Sequence, residues 1–193
     1  MATDFDRRRT AVLALDLQND IVGAITNIEE VLDNTNGVLT AARDGHVPVV
    51  YVTVSFTDGY PDAPVDTHPL YKLVSDNRMV LASESGGAIH AAVAPRHDEL
   101  VLNKTSVDPF TTTRLAQHLR ILDVNTLIIL GVWTNFVVES TARTAADLGY
   151  RVIVVGDACG SNSGENHEFA MANSLPMFAT VTDARDVCEG LNG

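Results

Sequence analysis

Thr126–Cys159, TLIILGVWTNFVVESTARTAADLGYRVIVVGDAC, is the stretch whose reading decides the fold. Leu127–Leu130 is a short, unbroken apolar run, as expected of a strand buried on both faces. Gly131 interrupts it. Thr134 or Asn135 then offers a side-chain oxygen that can cap the first free amides of a helix. Val138, Thr141, Ala142, Ala145 and Ala146 recur at helical spacing, and Gly149 stands where a helix C-terminus favours glycine. Arg151–Val155 is the next buried strand. Strand, helix and strand joined this closely make a right-handed crossover in a parallel sheet. In such a sheet ligands bind in the loops at the carboxyl edge, which singles out the loop from Gly131 to Val137.

The rest of the chain repeats the pattern. Thr10–Leu15 reads as a first buried strand, with Asp16 at its carboxyl end and Gln18, Asn19 and Asp20 in a polar loop. Asn27–Arg43 has helical periodicity and is closed by Gly45, and Pro48–Ser55 is a second buried strand. Ile89–Val93 reads as a short helix, Glu99–Asn103 as a third strand, Thr111–Leu122 as an amphipathic helix, His167–Leu175 as a helix and Met177–Val181 as a last strand. Strands alternating with helices throughout give an α/β fold, with a doubly wound, mostly parallel sheet of about six strands covered by helices on both faces.

Lys104 follows the third strand and so shares the topological address of Asp16. Alone, each has an ordinary reading: a turn Asp and a surface Lys. Together they place two opposite charges at one sheet edge. Phe56–Gly86 holds Pro61, Pro64, Pro69 and Gly59 with little periodicity. A loop that long in a compact domain is usually functional, and it reads as a flap over the carboxyl edge. Phe56 opens this flap and is a candidate substrate contact. Arg78 within it is a candidate for a substrate anion, although a solvated loop arginine is the commoner case. Asp66 and His68 lack a third ligand, so no metal site is expected. His167, at a helix start, reads as structural.

One domain is the natural reading of 193 residues, spanning 1–193. The net charge of −12 argues against nucleic acid or an anionic membrane as partner. No apolar run reaches membrane-spanning length, and MATDFDRRRT has no apolar signal core, so a cytoplasmic location is expected. Two cysteines, Cys159 and Cys188, have no metal-type spacing and give no disulfide framework.

Four pieces, ALDLQND (Ala14–Asp20), VLNKTSVDPFTTTRL (Val101–Leu115), GVWTNFVVESTARTAADLGY (Gly131–Tyr150) and VIVVGDAC (Val152–Cys159), resemble in order and spacing the isochorismatase-like hydrolases. That superfamily includes nicotinamidases and N-carbamoylsarcosine amidases. The resemblance covers nearly the whole chain. It implies a three-layer α/β/α domain, no cofactor, a small-molecule substrate and a homo-oligomer, dimer or tetramer. It also implies catalytic roles for Asp16 and Lys104, and substrate or oxyanion contacts around Trp133, Thr134 and Phe136. The Val132–Trp133 peptide is expected to be cis.

In the amidase members a cysteine nucleophile starts the helix, and here Val137 holds that position. Val cannot form a covalent intermediate. Isochorismatases proper also lack that thiol, and their chemistry uses an acid and water. The resemblance therefore implies a hydrolase acting on a small molecule, carboxylated or not, by acid–base attack of water with Asp16 and Lys104. The alternative is a catalytically silent relative kept as a small-ligand-binding or assembly module. Retention of both charges at one edge favours the hydrolase, since a scaffold needs neither.

Overall fold

The computed structural model describes residues 4–25 and 27–192. Its strands are β1 (Thr10–Leu15), β2 (Val49–Val54), β3 (Leu100–Lys104), β4 (Thr126–Val132), β5 (Arg151–Gly160) and β6 (Thr180–Thr182). They form one sheet in the order β3-β2-β1-β4-β5-β6, with every pairing parallel. The longer helices are α1 (Ile28–Asp44), α2 (Pro69–Asp76), α3 (Leu115–Ile121), α4 (Glu139–Asp147), α5 (Gly164–Phe169) and α6 (Ala184–Asn192).

Alternation along the strands sorts side chains between two apolar layers. Val12 and Ala14 of β1 face a cluster completed by α1 and α6, through residues such as Val38, Leu39, Val187 and Leu191. Ala11, Leu13 and Leu15 face the opposite cluster with Leu115 and Leu119 of α3 and Ala142 and Ala145 of α4. Every residue of β1, β2 and β4 is buried. That is why these strands read as continuous apolar runs. Among the described residues no helix is long and apolar enough to cross a membrane.

The chain builds outward from β1 to β3, then returns to build β4, β5 and β6 on the other side. The order therefore reverses between β1 and β4, and such a switch point opens a crevice at the carboxyl edge. Leu15 is in register with Gly131, so Asp16 lies beside the loop that follows β4. The two backbones approach closely there. Gly131 has φ +128, and a Cβ on it would stand 2.1 Å from the Leu15 carbonyl oxygen. Only glycine fits both conditions.

Several local expectations are corrected. The segment 111–122 is not one helix. Asp108 caps a single turn at Pro109–Thr112, Thr113 is extended, and its Oγ1 then accepts from the Leu115 amide to start α3. The helix expected from His167 starts earlier, at Gly164, where the Ser163 hydroxyl accepts from the Asn166 amide. The Ile89–Val93 segment is a 3₁₀ turn at Ala91–Val93, while Ile89 bridges to Gln18. Lys104 is the last residue of β3, and the last strand is Thr180–Thr182. The flap holds a real helix, α2, with Pro69 in its first turn where a missing amide costs nothing. Helix α6 was not anticipated.

Candidate active site

Asp16 leaves β1 in the left-handed region, at φ 52. Such a conformation for a non-glycine residue persists only where its surroundings hold it. Its amide donates to the Val52 carbonyl at 2.9 Å, and its own carbonyl accepts from the Gln18 amide at 2.8 Å. Gln18, which the sequence leaves as a polar loop residue, is fully buried and acts as a clamp. Its Nε2 donates to the carbonyls of Val54 at 2.9 Å and Gly87 at 2.7 Å, and its Oε1 accepts from the Val54 amide at 2.8 Å. Asp20 accepts from the Val80 amide at 2.7 Å, and Asn19 donates to the Ser85 carbonyl at 2.7 Å. The loop after β1 thus holds Asp16 in place and ties down the far end of the flap.

Lys104 reaches across the end of β2 and donates from Nζ to Asp16 Oδ2 at 2.8 Å. Its side chain is 2% exposed and that of Asp16 is 7%. Asp16 Oδ1 is buried without a protein partner. Burial pushes the Asp16 carboxyl above its ordinary range, while the Lys104 ammonium pulls against that rise. A group poised this way suits proton transfer.

Both residues line a cavity of about 90 Å³. Val132, Trp133, Phe136 and Val137 form the wall on the β4 side, and Val54, Leu70, Tyr71, Val74, Met79 and Val80 bring in β2 and the flap. The Val132–Trp133 peptide is cis. Trp133 Nε1 donates to the Ile21 carbonyl at 3.2 Å, and its ring meets Phe136 edge-on at 5.6 Å between centroids. The structure thus brings together Asp16, Lys104, Trp133, Phe136 and Val137.

Three other candidates lie outside this wall. Thr134 is fully buried, donates to the Gly160 carbonyl at 3.0 Å and sits 2.9 Å from His167 Nδ1. Neither it nor Asn135, which accepts from the Ser161 hydroxyl, caps the helix as the sequence suggested. They tie the turn Thr134–Val138 to the β5 loop instead. Phe56 is buried beneath the flap, where its ring supports Tyr71 edge-on at 5.4 Å. Arg78 is exposed and paired with Asp58 at 3.2 Å and Glu84 at 3.0 Å, away from the cavity. Its charge serves the flap surface.

Cys159 is buried in the apolar layer that also holds Val137, and burial pushes its thiol up to about 12. It is inert packing. Burial lowers the pKa of His167, which keeps the ring neutral beside Thr134. Among the described residues no group of three His, Cys, Asp or Glu side chains is placed to hold a metal ion. Sequence reasoning missed the flap residues, Tyr71 above all. The spacing of Leu70, Leu73 and Val74 behind Pro69 was the available signal.

A three-layer α/β domain whose all-parallel sheet carries this charged pair at its switch point has the isochorismatase-like fold of hydrolases. The isochorismatase domain model matches residues 10–186, and the chain belongs to that family. An uncharacterized isochorismatase family protein of Bacillus subtilis, YwoC, is 30% identical over 190 residues, covering 96% of each chain. Nicotinamidase 3 of Arabidopsis thaliana is 28% identical over 193 residues, covering 98% of this chain and 92% of the relative. The crystal structure of a cysteine hydrolase from Pseudomonas syringae pv. phaseolicola 1448A superposes with a TM-score of 0.86 at 24% identity, over 98% of this chain and 95% of that one.

Proposed function

We propose that this chain hydrolyses a small molecule by direct attack of water, with Asp16 and Lys104 as its acid–base pair and no covalent thiol intermediate. One observation carries the reading. Asp16 lines the cavity with one oxygen held by Lys104 and the other left without a protein partner, and Val137 stands in the same wall. The free oxygen is available to a substrate or a water.

For a vinyl ether, the protonated Asp16 would place its proton on the terminal alkene carbon. Water would add to the resulting oxocarbenium carbon and return a proton to Asp16. Collapse of the hemiketal would release a carbonyl compound and an alcohol. For an amide or ester, the Asp16 carboxylate would take a proton from water as the water attacks the carbonyl carbon, then pass it to the leaving group. Lys104 would steady the carboxylate in both cases. A positioned acid or base typically contributes about 10²–10⁴-fold to rate.

A second reading, a small-ligand-binding or assembly module without turnover, draws on the inert Val137. A homo-oligomeric state, dimer or tetramer, comes with the family resemblance, and light scattering would check it. The function is tested by screening vinyl ethers, amides and esters for turnover, with intact-mass spectrometry of the quenched protein. Turnover of at least one class with no adduct mass supports hydrolysis by water. Binding without turnover across the screen would favour the module.

A further inference from the structure

The cavity holds two buried polar atoms with no protein partner, and they come from different parts of the chain. One is Asp16 Oδ1, at the sheet edge. The other is the Tyr71 hydroxyl, on α2 of the flap. Tyr71 is 4% exposed and lines the cavity with Asp16 and Lys104. Its ring is held in place, edge-on to Phe56 at 5.4 Å and tilted against His68 at 4.6 Å. A buried hydroxyl normally finds a partner, so the Tyr71 hydroxyl is open to a ligand atom or a water. Burial and the negative charge of Asp16 raise the Tyr71 pKa to about 12, so the phenol keeps its proton and can donate.

The charges in the cavity are already matched. Asp16 and Lys104 are its charged lining residues, and with Asp16 ionised, the state that attack of water on an amide uses, they sum to zero. The cations of the flap, Lys72 and Arg78, are exposed and already paired, Lys72 with Asp76 and Arg78 with Asp58 and Glu84. A carboxylate entering here would meet apolar walls and the Asp16 carboxylate, with no spare cation, and burying it unpaired is unfavourable. Tyr71 and Val107 line in addition a wider cleft of about 450 Å³ with Asp62, His68, Ser106 and Asp108, where the remainder of a larger ligand could extend.

We infer that the group bound in the cavity is uncharged and apolar in body, and that the Tyr71 hydroxyl is a specificity-determining donor to its oxygen while Asp16 Oδ1 accepts from it. A group with an acceptor and a donor side by side, such as a primary carboxamide, satisfies both atoms at once. This inference rests on the cavity being the substrate site, and it makes the flap part of recognition rather than a plain cover.

The probes are isobutyramide and isobutyrate, which share size and shape and differ in charge. They are titrated by protein NMR into the wild-type chain and into Tyr71→Phe, with melting temperatures recorded alongside. Isobutyramide should shift the signals of Trp133 and Val137, and isobutyrate should bind at least tenfold more weakly. Tyr71→Phe should weaken isobutyramide about five- to tenfold, as loss of one hydrogen bond does. It should not lower the melting temperature, because the hydroxyl supports nothing within the protein. Equal or tighter binding of isobutyrate, no binding of isobutyramide, or an unchanged affinity in Tyr71→Phe would overturn the inference. So would an earlier melting of that variant, which would make the hydroxyl a structural prop. These readouts need no turnover. If the amide binds through Tyr71 while nothing is hydrolysed, the hydrolytic reading fails and this one stands.

Discussion

Lys104 Nζ and Asp16 Oδ2 stand 2.8 Å apart, both side chains buried, although 88 residues separate them in the chain. Two strand ends and the switch point make the pair. Desolvation raises the pKa of the Asp16 carboxyl and the Lys104 charge opposes the rise, with desolvation the larger effect. A carboxyl whose pKa is higher in the folded state than in the unfolded chain binds its proton more tightly when folded. Its contribution to stability is fully present below the unfolded value, about 3.9, and is lost as pH rises through the raised folded value. The wild type should therefore lose stability relative to Asp16→Asn as pH rises above about 4. Urea unfolding of both proteins across that range measures the gap. A wild type that gains on the variant as pH rises would mean that the ion pair outweighs desolvation.

Thiol reagents should leave any activity intact. Cys159 is 2% exposed and its thiol is pushed up to about 12, so almost no thiolate exists at neutral pH. Burial also raises the Cys188 pKa. Iodoacetamide at pH 7.5 should spare Cys159 in the native protein and modify it in denaturant, as read by peptide mass mapping. Inactivation in step with alkylation of either cysteine would place the nucleophile elsewhere than proposed.

Gly131→Ala should be among the most damaging single-atom changes in the sheet. The new Cβ would meet the Leu15 carbonyl oxygen at 2.1 Å, in a backbone conformation with φ +128. We expect a loss of about 3 kcal/mol or more of stability. Gly149→Ala, where φ is +88 but nothing lies within 4 Å of the added atom, provides the control for backbone conformation alone. Equal losses in the two, by chemical denaturation, would show that the close approach of β1 and β4 is unimportant.

The parallel sheet and the shared address of the charged pair were legible in the sequence because each rests on a local pattern. Thr10–Leu15 and Leu127–Leu130 are short apolar runs ended by Asp16 and Gly131, and the carboxyl-edge rule then gives both ends one address. Gln18 and Tyr71 were not legible, since their roles come from contacts with residues distant in sequence. Gln18 reaches Val54 and Gly87, and Tyr71 shares a cavity with Asp16 because the flap lies over the sheet edge. The capping reading of Thr134 failed for the same reason: a nonlocal acceptor, the Gly160 carbonyl, takes its hydroxyl. Arg78 looked available because sequence cannot show that Asp58 and Glu84 hold it outside.

If Asp16 moves a proton during hydrolysis, steady-state kinetics of Asp16→Asn on a substrate from the turnover screen will show it. The amide keeps the shape and can still accept from Lys104, but it cannot donate or take up a proton as a carboxyl does. kcat should fall about 10²–10⁴-fold, equivalent to about 3–5 kcal/mol of barrier, with KM nearly unchanged. An Asp16→Asn chain that turns the same substrate over at the wild-type rate would contradict it.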